Sequence, residues 1–173
     1  IADEIGLLVY NEWAWSFTRE IIEDEFEKRN LKEIPEWVYR DYNHPSVVMW
    51  SCGNEVVHTD KGVKRQLDKQ VELVRKLDKS GRPVGSFSGS ADWDKYGKEK
   101  MATDFLDSHT YCGLSGLWTK WEESFNLKHK FIHETYKENG KFDMPYIIWE
   151  CVGFSWGSKS DKEFKLNDID KYA

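Results

Sequence analysis

The run Arg40-Asp41-Tyr42-Asn43-His44-Pro45-Ser46-Val47-Val48-Met49-Trp50-Ser51-Cys52-Gly53-Asn54-Glu55 decides how the rest of the chain is read. Its first part is punctuation: Asn43-His44-Pro45-Ser46 breaks any helix, because the residue before a proline avoids the helical region. Val47-Val48-Met49-Trp50 is then apolar, partly β-branched and of strand length. The strand runs out in Gly53-Asn54-Glu55, turn formers that leave a carboxylate at its exit.

Working outward, apolar runs of strand length alternate with amphipathic stretches of helix length. Upstream, Gly6-Leu7-Leu8-Val9-Tyr10 predicts a strand covered on both faces. Between it and the quoted run, Ile22, Phe26, Leu31, Ile34, Trp37 and Val38 fall at roughly helical spacing, with Pro35 placed at the first turn of a second helix. Downstream, Val63, Leu67, Val71, Val74 and Leu77 form one apolar stripe of a helix over Thr59 to Lys79, and Ser80-Gly81 closes it. Weaker strands follow at Arg82 to Phe87 and Asp104 to Tyr111, then a helix over Leu117 to Tyr136. A fifth strand, Pro145 to Trp149, stops at Glu150.

Strand, helix, strand, repeated, means parallel pairing through right-handed crossovers. An open doubly wound sheet and a (β/α)8 barrel both satisfy that order. No glycine-rich phosphate loop follows the first strand, which removes the main support for the nucleotide-binding version. A whole barrel needs about 250 residues, or about 31 per βα unit. The 173 residues here therefore predict an α/β fold comprising part of such a barrel. Glu55 and Glu150 stand 95 residues apart, about three such units. Each follows the last apolar residues of a strand, so both are expected at the carboxyl-terminal face, where catalytic groups of barrels project.

Composition narrows the partners. Charged residues make up 32% and hydrophobic residues 39%, the balance of a soluble globular domain. The net charge of −6 speaks against a nucleic acid, which is bound by clustered Lys and Arg. No apolar run approaches membrane-spanning length. Cys52, Cys112 and Cys151 show neither a zinc spacing nor a disulfide framework and are expected to be mostly free thiols. Aromatics reach 15%, with nine Trp, and the chain opens at Ile1 inside what reads as a structured unit. That opening suggests a piece of a larger multidomain protein, with 1–173 as one catalytic-barrel fragment.

The quoted sixteen-residue run closely resembles the acid/base segment of glycoside hydrolase family 2, which includes β-galactosidases, β-glucuronidases and β-mannosidases. Ala2 to Glu12 resembles that family's third-strand segment, and Pro145-Tyr146-Ile147-Ile148-Trp149-Glu150 its nucleophile strand. The resemblance implies a (β/α)8 TIM barrel from which this chain carries about strands three to seven. It implies retaining hydrolysis of a β-glycoside, with Glu55 as acid/base at strand four and Glu150 as nucleophile at strand seven. Carboxyl groups in retaining enzymes lie about 5–5.5 Å apart, close enough that both do not ionise cheaply. By the same resemblance Asn54 bonds the sugar 2-hydroxyl, Tyr111 orients the nucleophile, and Glu12 is the acidic residue at the third strand's end. His109, two residues before Tyr111, is expected to point the same way. Trp156 is the strongest candidate for stacking on a pyranose, ahead of Trp13, Trp15 and Trp149.

The implied partner is a carbohydrate, with no metal or cofactor. Departures exist: Asn11 stands where Asp is common, and the His that many members carry soon after is missing from Trp13 to Thr18. Gly53-Asn54-Glu55 leans toward galactosidase-like members. Two alternatives stand beside this reading. One is a non-catalytic carbohydrate-binding homologue, which has no use for a carboxylate pair. The other is a cellulase- or mannanase-like retaining barrel, which usually continues Asn-Glu with Pro rather than Val56. Missing barrel strands would leave open sheet edges, so self-association and inactivity of the segment alone are both expected.

Overall fold

A computed structural model describes residues 1–16, 24–56, 61–92, 102–110 and 144–151, together with helical positions within 123–134. In chain order the elements are α1 (Ala2–Ile5), β1 (Val9–Glu12), α2 (Asp24–Asp41), β2 (Val47–Ser51), α3 (Lys61–Leu77), β3 (Val84–Gly85), β4 (Leu106–Thr110) and β5 (Tyr146–Cys151). All ladders are parallel, β1-β2-β3 in one sheet and β4-β5 in another. Between the sheets, the Asp104 N–H donates to the Val84 carbonyl at 3.0 Å, and the Asp104 carboxylate accepts the Val84 N–H at 2.8 Å. Sequential parallel strands with helices in the crossovers are part of a (β/α)8 barrel that does not close within the described residues.

The core lies between the outer face of β1-β2-β3 and the two long helices. Ile34, Trp37 and Val38 from α2, and Val63, Leu67, Val71 and Val74 from α3, are buried against Val47, Trp50 and Val84. Each such side chain contributes about 1.5–3 kcal/mol on leaving water. The Trp37 and Trp50 rings meet edge to face, with centroids 4.9 Å apart.

Several boundaries differ from the sequence expectation. The first strand is Val9–Glu12, not Gly6 to Tyr10, because Gly6 at φ +73° closes the short helix α1. Leu7 and Leu8 are exposed, so that apolar run is not covered on both faces. Pro35 lies inside one continuous helix rather than opening a second. Buried Ile34 on one side of it and Trp37 and Val38 on the other hold the helix through the missing hydrogen bond. The third strand shrinks to two residues because Asp104, rather than a strand, meets Val84. The fifth strand runs on through Cys151, so Glu150 lies within it rather than after it. The predicted helix over 117–136 lies mostly outside the described residues, though those described within it are helical. Cys52 is a buried free thiol, while Cys112 lies outside the described residues. No described helix is long and apolar enough to cross a membrane.

The amino-terminal ends of the strands carry structural ties. Asp3 accepts the Ser46 N–H at 2.8 Å and lies 2.6 Å from His44 Nδ1. Asp78 is the larger tie: its carboxylate accepts the Trp50 indole N–H at 2.7 Å, the Ser80 N–H at 2.9 Å and an Arg82 N–H at 3.1 Å. Arg82 also donates to the carbonyls of Tyr42 and His44, joining the end of α3 to the break before β2.

Burial alone would raise the Asp78 carboxyl, but bonds from Ser80, Trp50 and Arg82 hold it down at about 2. A depressed carboxyl stabilises the fold above the usual carboxylate range and loses that contribution as pH falls through its folded value. Asp78→Asn should therefore cost about 2–3 kcal/mol at pH 7. The difference from wild type should shrink between about pH 4 and pH 2 in urea titrations. A pH-independent difference would contradict the assignment of that stabilisation to the carboxylate.

Candidate active site

The carboxyl-terminal ends of all five strands converge chemically. Past β2 the parallel pairing continues as single bridges from Ser16 to Asn54 and from Asn54 to Ser88. The Asn54 N–H donates to Trp15 O at 2.8 Å, the Ser88 N–H to Gly53 O at 2.7 Å, and the Glu55 N–H to Ser88 O at 2.9 Å. Gly53 is needed here, since a Cβ would lie 2.7 Å from the Trp15 carbonyl oxygen. These bonds hold Glu55 at φ +45°, a left-handed conformation that costs a non-glycine residue about 1–2 kcal/mol.

His109 reaches the same point from β4. Its Nδ1 lies 2.7 Å from Glu55 Oε1, its Nε2 2.8 Å from Ser88 Oγ, and Nε2 is 3.5 Å from Glu150 Oε1. One ligand-type atom from each of Glu55, His109 and Glu150 lies within 4.8 Å of the others. The His109 side chain is only 4% exposed, while the two carboxylates keep 27% and 37% of their surface open to solvent.

A register shift explains how Glu150 arrives. Ser108 pairs with Ile148, but His109 pairs with Glu150, so Trp149 is the extra residue of a β-bulge. Bulges re-aim side chains beside functional sites. Trp149 turns against Tyr10, with ring centroids 4.0 Å apart, and Glu150 takes the place beside His109.

The arrangement brings together Glu55, Glu150, His109 and Asn54 as expected from their positions, with Glu12 at the end of β1. Tyr111 and Trp156 lie outside the described residues. Trp15 is buried against Phe26, and the partly buried Trp13 donates its indole N–H to Asn30 while its ring packs on Trp37. Ser88 and Gly89 were missed. Ser88 leaves β3 as Asn54 leaves β2, which was the available signal. Gly89, at φ +81°, lets the backbone pass the His109 ring, where a Cβ would sit 3.1 Å from ring carbon.

Residues 2–157 match the family model described as "Glycosyl hydrolases family 2, TIM barrel domain". The chain belongs to glycosyl hydrolase family 2. It is 32% identical over 159 residues to a β-galactosidase of Thermoanaerobacter pseudethanolicus, covering 91% of this chain and 17% of that protein. It is 42% identical over 149 residues to a Formosa agariphila protein provisionally named a β-glucuronidase, covering 78% of this chain and 17% of that one. Among solved structures, the β-galacturonidase of Eisenbergiella tayi superposes with TM-score 0.67 at 21% identity, covering 95% of this chain and 28% of that one. The chain thus spans about a sixth of the length of these two curated relatives. Membership removes the cellulase- or mannanase-like alternative.

Two carboxylates and an imidazole at this spacing are also a donor set that divalent cations accept. In this family 2 segment both imidazole nitrogens are already engaged by Glu55 and Ser88. An ion would have to displace one of those bonds, so no metal is assigned.

Glu12 is electrostatically tied to the pair. Surrounding protein first, and then the negative charges of Glu150 and Glu55, push its carboxyl up to about 7, with Ser51 opposing. A folded state that binds this proton more readily than the unfolded chain loses stability as pH rises through the shifted range. In the protein carrying this segment, Glu12→Gln should flatten the fall in melting temperature between about pH 4.5 and pH 7. Equal slopes for mutant and wild type would show that Glu12 does not sense the pair.

Proposed function

We propose that this family 2 segment is the acid/base and nucleophile portion of a retaining β-glycosidase acting on a neutral, galactoside-type sugar. The observation that carries the reading is the approach of Glu55, His109 and Glu150 to within 4.8 Å at the strand ends. That separation fits the roughly 5–5.5 Å of retaining enzymes rather than the roughly 6.5–9.5 Å that an inverting enzyme needs to admit water.

In this mechanism the Glu150 carboxylate attacks the anomeric carbon as the bond to the leaving oxygen breaks, and Glu55 gives that oxygen its proton. Water then attacks the same carbon, its proton passes to Glu55, and the bond to Glu150 breaks. His109, bonded to Glu55, holds the acid/base between these states. Among the described residues Asn54 Oδ1 is buried without a partner, the kind of acceptor that a substrate hydroxyl satisfies. Glu12, its carboxyl pushed up to about 7, can accept from a sugar hydroxyl when ionised and donate to one when protonated. Tyr111 and Trp156 keep their proposed roles in orienting the nucleophile and stacking on the sugar. The single-domain fragment of a longer multidomain enzyme remains the proposed organisation.

The preference for a neutral sugar rests on charge. Among the described residues the strand ends bring Glu55 and Glu150 to one imidazole, and Glu12 feels the negative charge of both. A uronate would meet that negative field, whereas a galactoside would not.

With the full-length protein and a panel of aryl β-glycosides, the galactoside should be turned over faster than the glucuronide. Glu150→Ala should abolish turnover, and Glu55→Ala should lower it by about 10²–10⁴-fold for a poor leaving group. Sugar binding without turnover by the wild type would favour a non-catalytic homologue, and near wild-type rates in Glu150→Ala would sink the nucleophile assignment.

A further inference from the structure

We propose that Ser88 is a positioning residue that sets the proton tautomer of His109 and through it the proton affinity of Glu55; this rests on the acid/base role proposed for Glu55. Ser88 is fully buried and grips Glu55 in two ways. Its main chain accepts the Glu55 N–H and donates to Gly53, which fixes the left-handed backbone. Its hydroxyl meets His109 Nε2 at 2.8 Å, on the ring whose Nδ1 meets Glu55 Oε1 at 2.7 Å. Gly89 lies against the same ring, so the imidazole is held on its edge and on its flank.

Ser88 can donate to Nε2 or accept from it, because a hydroxyl carries both functions. When it donates, the ring proton sits on Nδ1 and is directed at an ionised Glu55, the form that activates water. When it accepts, Nδ1 offers a lone pair to a protonated Glu55, the form that protonates the leaving oxygen. Glu150 Oε1 also lies 3.5 Å from Nε2, and as a carboxylate it only accepts. Loss of the Ser88 hydroxyl therefore leaves Nε2–H facing Glu150 and Nδ1 facing Glu55 as an acceptor. The proton on Glu55 is then favoured. Glu12 is a further described acid at this end, and it senses both Glu55 and Glu150.

The test is Ser88→Ala in the full-length protein, with Ser88→Cys as a shape-matched control and Ser88→Thr to restore a hydroxyl. With an aryl galactoside of good leaving group, where release from Glu150 limits turnover, kcat should fall about tenfold in Ser88→Ala, the worth of one buried hydrogen bond. kcat/KM should fall less, and its basic limb should move to higher pH. Ser88→Cys should resemble Ser88→Ala, and Ser88→Thr should return the basic limb toward wild type. A folded Ser88→Ala enzyme with an unmoved pH profile and equal losses in kcat and kcat/KM would overturn the proposal. If Ser88→Ala fails to fold, an unmoved limb in Ser88→Cys overturns it equally. Glu55→Gln and Glu150→Ala run alongside: if these remain active, it is the assignment of Glu55 and Glu150 that fails, whereas their inactivity with a silent Ser88→Ala overturns only the role of Ser88.

Discussion

Two carboxylates within 4.8 Å repel each other, by about 3 kcal/mol at an effective dielectric of 20 before solvent screens them. The imidazole of His109 is what ties the two together. It stands between the pair, bonded to Glu55 through Nδ1 and 3.5 Å from Glu150 through Nε2. Everything distinctive in the local structure serves this contact. The backbone of Glu55 is turned into a left-handed conformation, β5 carries a bulge, and Gly89 gives up a side chain beside the ring.

The scaffold separates the work of its two ends. At the amino-terminal ends of the strands, charged groups find full partners: Asp78 is bonded by Trp50, Ser80 and Arg82, and Asp3 by Ser46 and His44. At the carboxyl-terminal ends, acids crowd one another instead, and Glu12 is driven upward by its removal from water first and then by that crowding. A fold concedes stability at one end to place reactive groups there, and recovers it through the helix-packed face and the ties below. Trp50 links these roles. Its ring fills the core, its N–H holds Asp78, and its strand delivers Glu55 five residues on.

Much of this was legible in the amino-acid order. The spacing of Glu55 and Glu150 marked three βα steps, and the structure places Glu55 just past β2 and Glu150 within β5. The period of two along a strand brought out His109. What stayed hidden depended on contacts between distant segments. Nothing local in Tyr146 to Cys151 announces a bulge at Trp149, because it arises from pairing with β4. Leu7 and Leu8 read as strand because apolarity alone does not show that Gly6 closes a helix before them. Pro35 reads as a helix start, and only the burial of Ile34, Trp37 and Val38 carries the helix through it. Ser88 lacked any motif of its own and gains its importance from a partner 21 residues away.

The most direct measurement is to trap the covalent intermediate. The full-length protein would be incubated with an activated 2-deoxy-2-fluoro β-galactoside, digested, and mapped by mass spectrometry. The account predicts a single fluorosugar ester on Glu150, absent from Glu150→Ala. A label on another residue, or turnover of the parent galactoside with inverted configuration and no trapped ester, would contradict it.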